Sequence, residues 1–152
     1  MPVEIIDHGF DKYYKAIKDL NSKAVHVGIF ADVGDKVLTK AIVNEFGTAR
    51  AGKKNNITIP ERSFIRSTYN KQQKKVAGRF NQIFMSFSRK QYNVLPRLKL
   101  IGLEQEAATK QAITDMKYPP NAASTVAKKG SSHPLIDTGE LRSKITSEVK
   151  NK

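Results

Sequence analysis

The chain contains neither cysteine nor tryptophan. Without thiols it has no disulfide framework and no thiolate metal site, which fits a reducing compartment. No run of about 18 apolar residues occurs, so no segment is expected to span a membrane. The opening residues Met1-Pro2-Val3-Glu4 turn acidic early and lack the apolar stretch of a secretory leader, so none is expected. Acidic residues are few: 14 Asp and Glu face 27 Lys and Arg, a formal net charge of +13. The shortage is sharpest between Arg62 and Leu103, which hold ten Lys or Arg and no acid at all. Such a balance points to a polyanionic neighbour, nucleic acid or an acidic protein assembly, with a plain solvated helix face as the alternative. No pure Lys/Arg block of the nuclear-signal kind is present, nor a long basic tail.

What is present suits one domain. The 152 residues are 39% hydrophobic, enough for a modest core. Phe10, Tyr13, Tyr14, Ile17 and Leu20 fall at helical spacing and predict a helix over 8–20, capped by Asp7. Lys23 to Phe30 reads as a strand covered on both faces. His26 within it has no second ligand at metal spacing and reads as a partly exposed strand residue. After a turn at Gly34, a helix over 36–46 carries Val37, Leu38, Ala41, Ile42 and Phe46, and Gly47 ends it. Phe46 is expected to plug the core there together with Phe64. Residues 48–56 are polar, basic and glycine-containing, and predict an exposed, mobile loop. Ile57-Thr58-Ile59 is a short strand, able to pair with the first and ended by Pro60.

A long helix follows, with Ser63 as its cap and Tyr92 as its far end, about 45 Å at 1.5 Å per residue. Asn70 to Lys75 is polar all round and should stand in solvent. Val76, Phe80, Ile83, Phe84 and Phe87 form an apolar stripe, read as core before subunit interface. Leu95-Pro96 breaks the pattern. A further helix over 97–117 turns Leu98, Ile101, Ala108, Ala112 and Met116 inward. Tyr118-Pro119-Pro120-Asn121 stops it. Residues 122–128 make one or two turns, and 129–134 is a loop. The stretch Pro134-Leu135-Ile136-Asp137-Thr138-Gly139-Glu140-Leu141-Arg142 reads as an anchored loop and one helical turn, capped by Asp137 or Thr138. Ser143 to Val149 reads as a closing strand.

Searches for chemistry find little. Asp137-Thr138-Gly139 matches the turn in which aspartic proteases carry each catalytic carboxylate. It sits too near the C-terminus to build a substrate cleft, and the helical content is wrong for an all-β fold. A turn-capping Asp137 explains it better. No phosphate-binding glycine loop, dinucleotide fingerprint, His-Glu-x-x-His or Gly-x-Ser-x-Gly occurs. His8, His26 and His133 are scattered. No cofactor is implied. A non-specific DNA-binding protein is the alternative class, supported by charge but by no helix-turn-helix, zinc-finger or RNP pattern.

Three stretches together resemble one family. They are Val27-Gly28-Ile29-Phe30; then Ile42-Val43-Asn44-Glu45-Phe46-Gly47-Thr48 with Ile59-Pro60-Glu61-Arg62-Ser63-Phe64-Ile65-Arg66; and Pro119-Pro120-Asn121 leading into Pro134 to Ile145. Their order is similar to that in the virion-morphogenesis or tail-completion proteins of tailed bacteriophages, the minor tail and neck components. Ser63 stands where that family often has proline, and Lys144 where a small residue is common. The basic insert around Lys53 and Lys54 is this chain's own.

The resemblance implies a non-enzymatic assembly protein of the virion. It would complete the tail or join it to the head at the neck, as a homo-oligomeric ring, a hexamer by guess, around the DNA channel. Its partners would be neighbouring neck, connector and tail-terminator proteins, with possible contact to passing double-stranded DNA. Assembly candidates are Arg50, Lys53, Lys54, Arg62, Arg66, Asp137, Thr138, Gly139, Glu140 and Arg142. Lys71, Lys74, Lys75 and Arg79 are the DNA-facing candidates. Arg62 and Arg66 are expected to pair with Asp137 or Glu140. The expected fold is α+β: one small antiparallel or mixed sheet of three to four strands, packed against two long and two short helices.

Overall fold

A computed structural model describes residues 9–52, 54, 56–115, 118–130 and 132–152. In chain order these form α1 (Phe10–Asn21), β1 (Lys23–Gly28), a single 3₁₀ turn (Ala31–Val33), α2 (Asp35–Phe46), β2 (Thr48–Ala51) and β3 (Ile57–Ile59). There follow α3 (Phe64–Phe87), α4 (Leu95–Asp115), α5 (Ala123–Lys129), α6 (Glu140–Ser143) and β4 (Thr146–Asn151). The fold is α+β, as the periodicities imply.

The strands divide into two antiparallel ladders instead of one sheet. β1 pairs with β4 in unbroken register, from Lys23 opposite Asn151 to Gly28 opposite Thr146. β2 pairs with β3, Thr48 opposite Ile59 and Ala51 opposite Ile57, with an irregularity between. The first strand therefore pairs with the closing strand and not with Ile57–Ile59. Close neighbours in sequence form the short hairpin because its loop is cheap to close. The larger ladder waits for the chain's end.

α4 is the spine. Leu98 and Ile101 pack with Ala16 and Leu20 of α1 and with Ile83 and Phe87 of α3. Further along, Ile113 joins Ala41, Phe64, Leu135, Leu141 and Ile145 in a second cluster. α4 lies directly on the β1–β4 ladder at Gly102. A Cβ there would sit 3.1 Å from Cβ of Ser147 and 3.3 Å from Cγ1 of Val25, so the glycine permits the approach.

Several expected details change. Phe10 is 70% exposed, and Tyr13 and Tyr14 are exposed too; only Ala16 and Leu20 of α1 are buried. The aromatic half of the stripe runs past the end of the core. Asp7 lies outside the described residues, and Gly9 holds the N-cap position. α3 ends at Phe87, five residues before Tyr92, because Gln91 N–H returns to the Ser86 carbonyl at 3.1 Å and reverses the chain. Its 24 residues span about 36 Å. Pro96 lies inside the first turn of α4, where a helix needs no N–H from it. Met116 lies outside the described residues. The closing strand starts at Thr146, since residues 140–143 are used by α6.

Candidate functional site

The end of α2 builds the site's first half. Val37, Ala41 and Glu45 stand four residues apart, and all three are buried. A helix repeats its faces at that spacing, so the charged Glu45 is carried inward with its apolar neighbours. It is only 5% exposed. Its carboxylate accepts from Ile65 N at 3.0 Å and Arg66 N at 2.9 Å, and from Arg66 Nε at 3.2 Å. Those backbone N–H groups belong to the first turn of α3, which has no partners of its own within the helix. A negative charge at that end also suits the helix dipole. Glu45 thus caps a helix that begins 19 residues later in the chain, between Ser63 and Phe64. Ser63 occupies the N-cap position but makes no capping hydrogen bond with its side chain, contrary to expectation.

Arg66 is held as tightly. Its Nη2 donates to the Glu45 carbonyl at 2.9 Å and to Glu61 Oε1 at 2.8 Å. Its guanidinium lies 4.5 Å from the ring centroid of Phe46. Phe46 is therefore not the core plug expected of it: it is 59% exposed and forms the underside of a cation–π pair. Phe64 is fully buried, as expected. Between them Gly47 has φ 70°, and a Cβ there would stand 2.8 Å from the Glu61 backbone N. Only glycine fits, both in conformation and in space.

Arg62 builds the second half. It is 5% exposed. Its Nε donates to the Pro119 carbonyl at 2.9 Å and its Nη1 to Asn44 Oδ1 at 3.1 Å. Its Nη2 donates to the Pro120 carbonyl at 3.0 Å and to Asn121 Oδ1 at 3.3 Å. The backbone N–H of Arg62 donates to the Asn44 carbonyl at 2.7 Å. Two consecutive prolines supply carbonyls and no N–H, and the guanidinium fork satisfies both carbonyls at once. Among the described residues Arg62 has no carboxylate partner. Desolvation lowers its pKa from the ordinary arginine value.

The expected pairing of Arg62 and Arg66 with Asp137 or Glu140 does not form. Arg66 is taken by Glu45 and Glu61. Glu140 pairs with Lys40 of α2, Oε2 to Nζ at 3.0 Å. The reason is prior engagement: the Arg62 guanidinium is used up on Asn44, Pro119, Pro120 and Asn121, although Asp137 and Glu140 edge the same cavity. Leu135, Leu141 and Ile145 anchor that stretch in the core, while Asp137, Thr138 and Arg142 stay exposed. Neither Asp137 nor Thr138 caps α6; Gly139, at φ 77°, holds the N-cap position without a side-chain bond. The two halves and the closing stretch enclose a cavity of about 350 Å³ edged by Lys40, Asn44, Arg62, Asn121, Asp137 and Glu140.

Tyr118 packs against the second core cluster. Its hydroxyl donates to the Ala112 carbonyl at 3.2 Å. Burial, with a smaller contribution from the charge of Glu45, pushes its pKa up to about 12.

The basic candidates fall elsewhere. Arg50 is an exposed residue of β2 and Lys54 lies in the hairpin turn, so 48–51 is strand and not loop. Pairing with β3 orders it. Lys53 lies outside the described residues. Lys71, Lys74 and Lys75 are exposed on α3. Arg79 is partly exposed and grips Glu104 of α4 with two bonds, Nε at 3.0 Å and Nη2 at 2.5 Å. That hydrogen bonding raises the pKa of Arg79 and lowers that of Glu104. Lys75 stands 3.8 Å from the same carboxylate.

No family model, curated protein or solved structure matches the chain.

Among the described residues no cluster of three or more His, Asp or Glu could hold a metal ion, and no helix is long and apolar enough to cross a membrane. The site joins three remote segments through a buried acid, a buried base and two prolines, and its polar groups bond mainly to backbone. Sequence reasoning singled out Arg62 and Arg66 but missed Glu45 and Asn44 as their partners. The available signal was the four-residue spacing of Glu45 from Ala41 and Val37.

Proposed function

We propose that this chain is a structural subunit of a tailed-phage virion. It completes the tail or joins it to the head at the neck, as one member of a homo-oligomeric ring around the DNA channel. What supports the reading is one observation: of the stretches that resemble the tail-completion family, all but Val27-Gly28-Ile29-Phe30 meet around Glu45 and Arg62. Asn44 to Gly47, Arg62 to Arg66 and Pro119 to Asn121 form one bonded unit there. The closing stretch edges the same cavity. Residues held this way set the shape of a subunit. The β2–β3 hairpin, with exposed Arg50 and Lys54 and a half-exposed Ile57, supplies an edge for a neighbour.

Electron tomography of phage particles carrying a tagged copy of the chain is the test. Density for the tag at the head–tail junction is the expected result. Mature particles that lack the chain altogether would refute the assignment. The exposed lysines of α3 favour a second reading, a non-specific DNA-binding protein. That reading requires affinity for duplex DNA to fall steeply with salt, a log–log slope of about −0.9 per phosphate neutralised.

A further inference from the structure

We propose that β1 and the apolar cleft beside it receive an extended segment of another protein, alternating apolar and acidic residues, as an added strand. The inference rests on the reading above, that the chain is an assembly subunit, and names the chemistry of one partner.

The first ground is a mismatch of widths. α4 covers the β1–β4 ladder at Gly102, and α3 runs alongside α4, tied to it by Arg79 and Glu104. Packed helices lie about 8–10 Å apart, whereas paired strands lie about 4.8 Å apart. A two-stranded ladder under α4 therefore leaves α3 overhanging by roughly two strand spacings. The space beneath is a cleft of about 510 Å³. Val25 and Val27 of β1, Ile65 and Phe80 of α3, and Ile101 and Gln105 of α4 line it.

The second ground is the open edge. Among the described residues β1 pairs with β4 alone, so its other edge has no strand beside it, and Val25 and Val27 of β1 line the cleft. Such an edge is a template for another strand unless it is short, charged or covered. Val25 and Val27 point to one face, as residues two apart in a strand do. An added strand would set alternate side chains beside them.

The third ground is Gln105. It is 9% exposed, lines the cleft and has no side-chain hydrogen bond among the described residues. A primary amide offers one acceptor and two donors, a match for a peptide group of an entering strand. The charge of the partner follows from α3. Between Asn70 and Val76, which both line the cleft, the helix carries Lys71, Lys74 and Lys75 and no acid, with Lys75 3.8 Å from Glu104 of α4. An acidic partner would be drawn to that mouth and a basic one repelled.

The test uses the full chain and a fluorescent nonapeptide of alternating valine and glutamate. Two controls are a peptide of the same composition in two blocks and an alternating valine–lysine peptide. Anisotropy should show the first binding about tenfold tighter than either control. Val27→Asp, with its fold checked by circular dichroism, should lose that preference, and bound peptide should slow amide exchange in β1. Equal binding of the block peptide would overturn the added strand, and equal binding of the lysine peptide would overturn the acidic partner. Self-association of the chain abolished by Val27→Asp would assign the cleft to a second copy and likewise overturn it. A chain found at the head–tail junction that ignores all three peptides would sink this inference alone. One that binds as expected but is missing from particles would sink only the assembly reading.

Discussion

Replacing Glu45 by alanine should unpin the start of α3. The carboxylate holds two first-turn N–H groups at 3.0 and 2.9 Å and is 5% exposed. Loss of an N-cap costs about 1 kcal/mol on average. Here the acceptor is charged, and hydrogen bonds to charged groups contribute about 1.5–3 kcal/mol. Alanine also leaves two donors without an acceptor in a place water reaches poorly. The sum is about 3 kcal/mol. With a urea dependence of about 2 kcal/mol per molar, the unfolding midpoint should fall by about 1.5 M. Glu45→Gln keeps one acceptor oxygen and should cost about half as much. Ser63→Ala is the control, because Ser63 makes no capping bond with its side chain. It should stay within about 0.5 kcal/mol of the parent, as surface changes usually do. If Ser63→Ala proves the costlier of the two, or Glu45→Ala shifts the midpoint by less than about 0.5 M, then α3 is not capped from α2.

Arg62→Lys should cost about 2 kcal/mol, since an ammonium cannot reproduce the fork that spans Pro119, Pro120 and Asn44; faster amide exchange after Pro120 would accompany it, and unchanged exchange with an unchanged melting point would contradict the clamp. Gly47→Ala should destabilise by about 1–3 kcal/mol through strain at positive φ and collision with Glu61; an unaltered denaturation curve would count against the close approach. Phe64→Ala should cost about 3–5 kcal/mol as a core truncation, and Phe46→Ala no more than about 1 kcal/mol; similar values for both would restore Phe46 to the core. Tyr118 has a folded pKa raised from 10.0 to about 12. Its unfolded form ionises first, so its contribution is complete below pH 10, and stability should fall as pH rises from 10 toward 12. Ultraviolet titration of tyrosinate should show one late-ionising residue, absent in Tyr118→Phe; its persistence in that variant would reassign the shift.

Much of the framework was legible beforehand. The apolar period of 3.6 marked α2, α3 and α4 within a few residues, and Pro119-Pro120 marked the stop after α4. Leu135, Leu141 and Ile145 were buried where an anchored closing stretch requires it. Mistakes gathered at polar partners and at the ends of stripes. Tyr13 sits at helical spacing from buried Ala16 and Leu20 yet is exposed, because spacing says which residues share a face and not where the core stops; Phe46 instead follows exposed Ile42 by one turn and lies off the face of Val37, Ala41 and Glu45. Arg62 was matched with acids of opposite charge, while its true partners were carbonyls, which any residue can offer and no residue advertises.

The sequence by itself determined the α+β class, the order of the helices and of three of the four strands, the turn glycine at Gly47 and the large excess of positive charge. Each depends on neighbours within a few residues, or on a simple count. Tertiary structure alone decided that Glu45 caps α3, that Arg62 clamps Pro119 from 57 residues away, and that the strands form two ladders instead of one sheet. The physical reason is range. Backbone geometry repeats over one or two turns of chain, so local patterns can declare it. A hydrogen bond between remote segments exists only after packing has brought its donor and acceptor within about 3 Å of each other.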